Sequence, residues 1–394
     1  MNSMVLVTDG HWRKSLAAVR GLGRKGVACV VGETTRLATA AFSKYCRRQI
    51  TYSSPVFASS VFMDEMRTLV AGSNFRMLLP MEDTTVRLFA QFRDDFSQRC
   101  FLPVSPVEKI DFANRKDLVL QLARKMGIPT PKTWHITDLS QLAQVKDHLP
   151  YPMVVKPRTG AGALGIAYPE TPAELLETYP LIHRRFPFPM IQEKIPAIGA
   201  GYGASFLMDE KGDVKASFVH KRLREYPVTG GASTLRESVR HDGIREMGQT
   251  LLSAMGWFGV AMVEFKIDPR DHQPKLMEVN PRFWGSLALS IAAGVNFPYL
   301  LYKMAKGERF APVETYRTGI KCRWFLPGDL LHFIYNPQRR KLMPGFFNFR
   351  VPNTTYDILS RTDPLPALGR LLTPLTFLYD RDMKQRLRTR HHGR

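Results

Sequence analysis

The first quarter of the chain alternates short apolar runs with stretches of helical periodicity. Apolar runs such as "MVLVTD", "GVACVVGE" and "FRMLLPMED" are separated by amphipathic stretches such as "HWRKSLAAVRGLG" and "TTVRLFAQFRDDF". This alternation is typical of βαβ units, in which a helix returns the chain so that successive strands run parallel. We therefore expect an open α/β domain at the start of the chain.

Composition is that of a folded protein with more than one domain. The chain has 394 residues, of which 44% are hydrophobic, enough for two or three domains. The N-terminus lacks the pattern of a signal peptide, and no run approaches the roughly 20 apolar residues of a membrane span. The four cysteines lie far apart without a CxxC pair, which predicts neither a disulfide framework nor a zinc site. We expect a cytoplasmic protein.

The formal net charge of +21 predicts attraction to polyanions: nucleotides, acidic metabolites, nucleic acid or anionic lipid. The net charge alone does not identify which of these anions the protein binds. Nucleic acid is the less favoured partner, because the basic residues are not interleaved with aromatic residues and no motif of a nucleic-acid-binding fold occurs. Small anionic molecules are the expected partners.

The pattern changes after "FLPVSP", near residues 102–115. The stretch "VEKIDFANRKDLVLQLARKMG" predicts a helix ended by Gly127 and the prolines of "IPTP". A strand, "YPMVVKPR", a glycine loop, a helix, "TPAELLETYPLIHRRF", and a strand, "PMIQEKI", follow. Residues 202–285 predict long hairpins interrupted by one helix, "DGIREMGQTLLSAMG". Beyond about residue 311 the chain is irregular and Pro-rich.

The glycine loop "GAGALG" contains Gly160, Gly162 and Gly165 and matches GxGxxG. A dinucleotide-binding fingerprint would open a helix at this point, whereas here the loop is followed by the extended stretch "IAYPE". We therefore predict the tip of a β-hairpin, whose bare backbone N–H groups could fold over phosphates. A flexible turn that binds no ligand is the alternative.

Lysine residues near this loop are candidates for binding phosphate. Lys156 follows "PMVV" at the end of a probable buried strand, where a lysine must find an anion or lie at the surface. Lys116 lies in an exposed helical turn and is by itself uninformative. The stretch "QEKI", which contains Glu193, ends another apolar strand and offers backbone groups to a base and a carboxylate to a ribose.

Two stretches of alternating polarity predict a second group of functional residues. In "LMEVNPRFWGSL", Glu278, Asn280 and Arg282 share one face of a strand, and "VAMVEFKID" places Glu264 in the same pattern. The link "PRDHQP" makes a hairpin of the two. Two carboxylates on one half-buried face raise each other's pKa unless a cation lies between them, and oxygen ligands suit Mg²⁺. The alternative is a solvated hairpin with cross-strand charge pairs such as Glu264 with Arg282.

These motifs, in this order, resemble the ATP-grasp superfamily, in particular the group related to carbamoyl-phosphate synthase large chains and carboxylate-amine ligases. The resemblance covers residues 102–310. It implies a Rossmann-like domain at 1–105 and an ATP-grasp fold of two α+β subdomains holding ATP between them at 106–310. The basic C-terminal extension at 311–394 departs from the family and matches none of its patterns.

The resemblance also implies roles for individual residues. Lys116 and Lys156 would hold the ATP phosphates, and Arg282 would face the transferred phosphate, so that Lys156 and Arg282 are the expected catalytic residues. The other implied roles are phosphate covering by Gly160, Gly162 and Gly165, adenine and ribose binding by Glu193, Lys194 and Ile195, and binding of Mg²⁺, or Mn²⁺ in its place, by Glu264, Glu278 and Asn280.

The expected function is therefore an ATP- and Mg²⁺-dependent ligase that joins a small-molecule carboxylate to an amine through an acyl phosphate and releases ADP and phosphate. Two alternatives stay open: an ATP-grasp protein with a thiol or other acceptor, and a polyanion-binding protein with a regulatory ATP site. The basic hairpin "HKRLREYPVTGGAST", with His220, Lys221 and Arg222 before a Gly230-Gly231 turn, would line the substrate end or would simply be solvated.

The C-terminal stretch "LPALGRLLTPLTFLYDRDMKQRLRTRHHGR" combines an apolar segment with a basic cluster. The apolar segment is too short and too Pro-broken to span a bilayer. We therefore expect either peripheral contact with an anionic membrane surface, on the inner face of a membrane, or packing onto the ATP-grasp core.

Overall fold

The computed structural model describes residues 4–160, 165–196, 200–228 and 230–384; Gly162 of the glycine loop lies outside these ranges. The first domain is a four-stranded parallel sheet in the order β3-β2-β1-β4. Its elements are β1 (Met4–Val7), α1 (Arg13–Gly23), β2 (Cys29–Glu33), β3 (Cys46–Thr51), α2 (Ser59–Ala71), β4 (Phe75–Leu79), α3 (Asp83–Gln91) and α4 (Asp94–Ser97). The predicted open α/β domain is confirmed.

Both faces of this sheet are covered, as a parallel sheet requires. Leu6 of β1 belongs to a buried cluster with Phe62 of α2 and Phe89 of α3. Val7, on the other face of the strand, belongs to a second cluster with Leu16 of α1. Directly after β1 and β4, buried Asp9 accepts hydrogen bonds from the backbone of Met81 at 3.1 Å and from Thr85 at 2.7 Å.

A small antiparallel sheet in the order β5-β7-β6 follows the first domain. This part of the chain contains α5 (Val107–Asn114), α6 (Lys116–Lys125), β5 (Thr133–Trp134), α7 (Ser140–Val145), β6 (Met153–Lys156), α8 (Pro172–Arg185) and β7 (Met190–Glu193). Val155 and Ala167 exchange backbone hydrogen bonds of 2.9 and 3.0 Å, so the glycine loop does connect two hairpin arms, as predicted.

The largest sheet has seven strands in the order β12-β11-β8-β9-β10-β13-β14. Its first part contains β8 (Gly201–Met208), β9 (Val214–Tyr226), β10 (Ala232–Ser238), α9 (Asp242–Ala254), β11 (Gly259–Ile267), β12 (Pro274–Asn280), α10 (Leu287–Ala293) and α11 (Phe297–Ala305). These are the predicted long hairpins with one interrupting helix.

The C-terminal part adds to this sheet and then returns to the first domain. It contains β13 (Lys321–Arg323), α12 (Leu330–Tyr335), β14 (Thr354–Tyr356) and α13 (Leu365–Thr376). Strand β13 pairs antiparallel with β10, and β14 pairs parallel with β13. Helix α13 packs on the first domain rather than on the large sheet: Gly369 lies against the ring of Phe42. No helix in the described ranges is long and apolar enough to cross a membrane.

A buried carboxylate fastens the segment between β13 and β14 to the large sheet. Asp329 is fully buried and accepts hydrogen bonds from Arg224 of β9 at 3.0 Å, from Arg323 of β13 at 2.6 Å and from Thr234 of β10 at 3.2 Å. Arg323 also donates to the carbonyl oxygen of Phe346 at 2.6 Å. One carboxylate therefore satisfies two buried guanidinium groups.

We predict that Asp329→Ala lowers the free energy of unfolding by about 3–5 kcal/mol, because the variant leaves two buried guanidinium groups without a carboxylate. Chemical denaturation measures this change. The matched control is Asp64→Ala, which removes a carboxylate that is 72% exposed and paired with Arg67, and should cost less than about 1 kcal/mol. Equal costs for the two variants would contradict the role given to Asp329.

Candidate functional site

The hairpin of β11 and β12 places the predicted metal ligands together. Glu264 lies directly opposite Glu278, and Asn280 lies opposite Met262. The side-chain amide of Asn280 donates to Oε1 of Glu264 at 3.1 Å and approaches Oε1 of Glu278 at 3.5 Å. The predicted pairing of the two strands is confirmed, and it brings two carboxylates and one amide to a single point.

Each carboxylate is held by a cation from another element. Arg222 of β9 forms an ion pair with Glu264, and Lys116 of α6 lies 3.2 Å from Oε2 of Glu278. Burial raises the pKa of Glu264. The charge of Arg222 acts to lower this pKa, and the charge of Glu278 acts to raise it. Burial also acts to raise the pKa of Glu278, but Lys116 and Lys156 outweigh it and keep that pKa below its usual value. Glu278 is therefore the more firmly ionised of the two.

The lysine residues predicted to hold phosphate lie beside Glu278. Lys116 begins α6 and donates to the carbonyl oxygen of Gly160. Lys156 ends β6 and is only 6% exposed. Burial, with the charge of Lys116 adding to it and that of Glu278 opposing it, lowers the pKa of Lys156 to about 8. Within the described ranges no carboxylate forms an ion pair with Lys156, so this buried ammonium group is suited to an anionic ligand.

Arg282 contacts the first domain. Its Nε lies 2.8 Å from Oδ1 of Asp83, at the start of α3, so the alternative pairing of Glu264 with Arg282 was wrong. Beside it, Lys14 of α1 lies 2.5 Å from Oε1 of Glu82. Residues at the carboxyl edge of the parallel sheet therefore contact Arg282.

Sequence reasoning missed Lys14, Glu82 and Asp83. A signal for them exists, because "TDGHWRK" and "LLPMED" place charged residues directly after β1 and β4. Carboxyl ends of parallel strands meet at one edge of a sheet, where α/β proteins bind ligands.

The stretch predicted to bind adenine and ribose makes other contacts. Oε1 of Glu193 accepts a hydrogen bond from the backbone of Lys132 at 2.8 Å, and Oε2 accepts one from Arg270 at 3.0 Å. The carbonyl oxygen of Ile195 accepts from Lys266 at 3.2 Å, and the ammonium group of Lys194 lies 5.3 Å from the centre of the Tyr168 ring. The carboxylate of Glu193 is thus bound by protein groups.

The residues of the basic hairpin of β9 and β10 lie in different surroundings. His220 is buried, and its Nε2 lies 3.2 Å from Oγ of Ser286. Burial, followed by the charges of Arg222 and Arg236, lowers its pKa well below the usual value, so the ring is neutral near pH 7. A Cβ at Gly203 would lie 2.3 Å from this ring, which explains the glycine on the neighbouring strand. Of the suspected residues, it is Arg222 that contacts the carboxylate pair.

A second arginine lies beside Arg222 and was also missed. Arg236 of β10 is directly opposite Arg222, is fully buried and forms an ion pair with Asp357, which follows β14. Arg13 of α1 lies 3.5 Å from the same carboxylate and stacks on the ring of Trp324 at 4.0 Å. Nε and Nη1 of Arg236 are buried without a hydrogen-bond partner among the described residues. These donors could bind an anion.

Comparisons with known proteins relate part of this chain to a known family. Residues 210–325 match the family model described as ATP-grasp in the biosynthetic pathway with Ter operon. The chain therefore contains an ATP-grasp family match and is homologous to ATP-grasp ligases. It is 26% identical over 232 residues to the N-terminal section of the carbamoyl phosphate synthase large chain of Methanopyrus kandleri, covering 56% of this chain and 41% of that one.

Two solved structures show the same fold. The biotin carboxylase domain of Hydrogenobacter thermophilus 2-oxoglutarate carboxylase, solved with MgADP, ADP and bicarbonate, matches this chain with a TM-score of 0.67 and 13% identity, over 82% of this chain and 74% of that one. The L-amino acid ligase of Bacillus licheniformis matches with a TM-score of 0.60 and 17% identity, over 78% and 75%. The chain spans less than two thirds of the curated relatives it matches.

The carboxylate pair Glu264 and Glu278 fits a nucleotide-bound Mg²⁺ better than a metal held by protein alone. Among the residues that the structure describes, no three His, Cys, Asp or Glu side chains are grouped to hold a metal. Mg²⁺ typically takes one or two carboxylates and completes its shell with phosphates and water. Glu264, Glu278 and Asn280 provide such a partial set of oxygen ligands.

We predict that ATP binding takes up protons through Lys156. With a pKa of about 8, half of the Lys156 side chains are unprotonated at pH 8, and neighbouring phosphates favour the charged form. Uptake should be about half a proton at pH 8, larger at pH 9 and close to zero at pH 6, where Lys156 is already protonated. Calorimetry in buffers of different ionisation enthalpy measures it.

Lys156→Arg keeps a positive charge but does not titrate in this range, so it should bind ATP without proton uptake. Lys275→Arg is the matched control, because Lys275 is 14% exposed and paired with Asp271, and it should retain the uptake. Undiminished uptake in Lys156→Arg would assign the proton to another group.

Proposed function

We propose that this protein is an ATP- and Mg²⁺-dependent ligase that joins a carboxylate to an amine through an acyl phosphate and releases ADP and phosphate. The observation that carries the proposal is the carboxylate pair Glu264 and Glu278, which lies between lysine residues on one side and arginine residues on the other. That order of charges suits a polyphosphate on the lysine side and an anionic substrate on the arginine side.

The nucleotide would lie between the small sheet and the large sheet. Lys116 and Lys156 would bind its phosphates, because both lie beside Glu278 and buried Lys156 forms no ion pair with a carboxylate in the part of the chain that the structure describes. The glycine loop would cover the phosphates from above Lys116, which already contacts Gly160. Glu193, Lys194 and Ile195 would bind adenine and ribose, with Glu193 exchanging its contact to Arg270 for a ribose hydroxyl.

Glu264, Glu278 and Asn280 would hold Mg²⁺ against the phosphates. The chemistry that Mg²⁺ supplies there is neutralisation of charge on the β- and γ-phosphates. Lys116 and Arg222, which hold the two carboxylates in this structure, would keep them ionised and oriented for that purpose.

The reaction would proceed in two transfers. In the first, a carboxylate oxygen forms a bond to the γ-phosphorus while the bond from that phosphorus to ADP breaks. In the second, the amine nitrogen attacks the acyl carbon, the carbon–oxygen bond to phosphate breaks, and the nitrogen loses a proton. Arg282 would stabilise the charge of the transferred phosphate, and its contact with Asp83 fixes its orientation.

The substrate carboxylate would be bound on the arginine side of the pair. Arg222 and Arg236 lie opposite each other on β9 and β10, and Arg236 has two buried N–H groups without partners among the described residues. A carboxylate is the group that a guanidinium binds in bidentate geometry. Positioning of this kind needs no covalent protein nucleophile.

We predict that Glu278→Gln keeps the fold but reduces Mg²⁺-dependent turnover on the order of a hundredfold or more, because one metal ligand loses its charge. Glu246→Gln is the matched control, since Glu246 of α9 is 66% exposed and forms an ion pair with its neighbour Arg245. Thermal unfolding separates loss of the site from loss of the fold. Normal turnover of Glu278→Gln would remove the residue from the metal site.

We further predict ADP and phosphate as products when a panel of carboxylates and amines is tested. A carboxylate labelled with ¹⁸O should transfer one labelled oxygen to inorganic phosphate in each productive turnover, because the carboxylate oxygen bridges to phosphorus in the acyl phosphate. AMP with pyrophosphate, or unlabelled phosphate with the amide product, would refute the acyl-phosphate route. Thioester formation would identify a thiol acceptor, and ATP binding without turnover would favour a regulatory site.

A further inference from the structure

We propose that the outward side of helix α13, with the basic residues around it, binds the surface of an anionic lipid bilayer. This proposal is independent of the function proposed for the ATP site. It rests on an apolar helix face that the described protein does not cover and on the charge that surrounds it.

Helix α13 is turned so that its leucine residues point outward. The leucine face is defined by five side chains that are between 49% and 75% exposed: Leu365, Leu368, Leu371, Leu375 and Leu378. Their spacing of three and four residues places them on one side of the helix and of the turn that follows it. The inward side carries Pro366, Gly369, Thr373 and Thr376, which are buried. An ordinary surface helix would bury the leucine side.

The inward side is firmly attached to the first domain. A Cβ at Gly369 would lie 2.4 Å from the Phe42 ring, so the glycine permits a very close approach. Before the helix, Asp363 accepts a hydrogen bond from Arg20 of α1 at 2.8 Å. After it, the hydroxyl of Tyr379 lies 2.8 Å from that of Thr35. The orientation of α13 is therefore determined at both ends, and the leucine face is a surface of the folded protein.

Exposed basic residues lie on the segments of the chain that contact or adjoin α13. Lys44 donates its backbone N–H to Asp363 at 2.9 Å, and the guanidinium of Arg381 lies 4.9 Å from the centre of the Phe57 ring. The exposed basic residues on these segments are Arg36, Lys44, Arg47, Arg48, Arg361, Arg381 and Lys384.

The neighbouring carboxylates do not cancel this charge at the surface. Asp363 and Asp382 are buried, and Asp382 accepts a hydrogen bond from Ser54 at 2.6 Å. Asp380 accepts the backbone N–H of Met383 at 2.9 Å. All three acids are bonded within the protein, whereas the basic groups face solvent.

An exposed aliphatic face bordered by Lys and Arg favours a bilayer over a protein partner. Protein interfaces are enriched in Trp, Tyr and Arg, are depleted in Lys, and seldom use Leu as an energetic hot spot. Helices that lie in the plane of a membrane instead bury leucine among the acyl chains while Lys and Arg contact anionic headgroups. At 12 residues, α13 is long enough for this contact and too short to span a bilayer. Val56 and Phe57, 47% and 48% exposed beside Arg381, extend the apolar area.

The test is flotation of the full chain with vesicles of phosphatidylglycerol and phosphatidylcholine, compared with phosphatidylcholine alone. We expect binding to the anionic vesicles that weakens as salt is raised. The double variant Leu371→Asp, Leu375→Asp should lower the affinity on the order of a hundredfold. Leu181→Asp is the matched control, because Leu181 of α8 is 62% exposed on another part of the molecule, and it should bind as the unmodified chain does.

The replaced leucines are exposed, so the double variant should keep the thermal stability and nucleotide affinity of the unmodified chain. Absence of binding by the unmodified chain, or equal binding by the double variant, would overturn the proposal. Phe347, in the segment before β14, is 72% exposed. If Phe347→Asp, and not the double variant, abolishes vesicle binding, the membrane-binding surface lies at Phe347, which would also overturn the proposal. So would a self-associated chain that the double variant dissociates, since the leucine face would then bind a second copy.

Discussion

The site depends on cations that offset the negative charges of Glu264 and Glu278, two carboxylates placed opposite each other by the pairing of β11 and β12. Like charges directly opposite on adjacent strands destabilise a sheet, and here Glu264 and Glu278 are also partly withdrawn from water. Arg222 comes from the same sheet, but Lys116 comes from α6, outside that sheet. The pair is therefore stable only when the parts of the chain around the cleft are assembled, and the charges that stabilise it are the charges that a nucleotide would use. Glu225 forms a further ion pair with Arg222 at 3.7 Å, so the cations on the other side of the pair, Lys116 and Lys156, are the ones suited to phosphate.

The first domain contributes to the site as well as supporting it. Asp83 and Glu82 follow β4, Lys14 lies near the end of β1, and Arg282 follows β12; the structure joins them in two ion pairs, Arg282 with Asp83 and Lys14 with Glu82. Burial lowers the pKa of Lys14, and the neighbouring Arg282 lowers it further, while Glu82 and Asp83 oppose this. Removing either acid would leave a buried cation beside a second cation. The orientation of Arg282 is thus a property of two domains.

The elements predicted correctly from the sequence are those with a local pattern. The alternating β11 and β12 hairpin, the glycine-loop hairpin and the parallel first sheet each show their period within about ten residues. Arg236 and Asp357 could not be found in this way, because they are joined only when β10, β13 and β14 pair. Strands of three residues have too short a pattern to be recognised. Helix α13 differs from these elements, because a leucine spacing of three and four residues ordinarily accompanies a buried face, whereas the structure turns this face outward.

Helix α1 contacts both the Asp357 carboxylate, which pairs with Arg236, and the chain that leads into α13, which carries the leucine face. Arg13 and Arg20 lie two turns apart on this helix, and both bind the stretch before α13. Arg13 contacts the carboxylate of Asp357, whereas Arg20 donates to the carbonyl oxygens of Asp357 and Ile358 and to Asp363. Residues 357–363 therefore supply the acid that neutralises Arg236 at one end and the anchor of α13 at the other. Because both ends are buried ion pairs, and breaking one by removing a partner costs about 3–5 kcal/mol, this segment is constrained to one position against α1. The outward orientation of the leucine face follows from the same contacts that hold Arg236 in place.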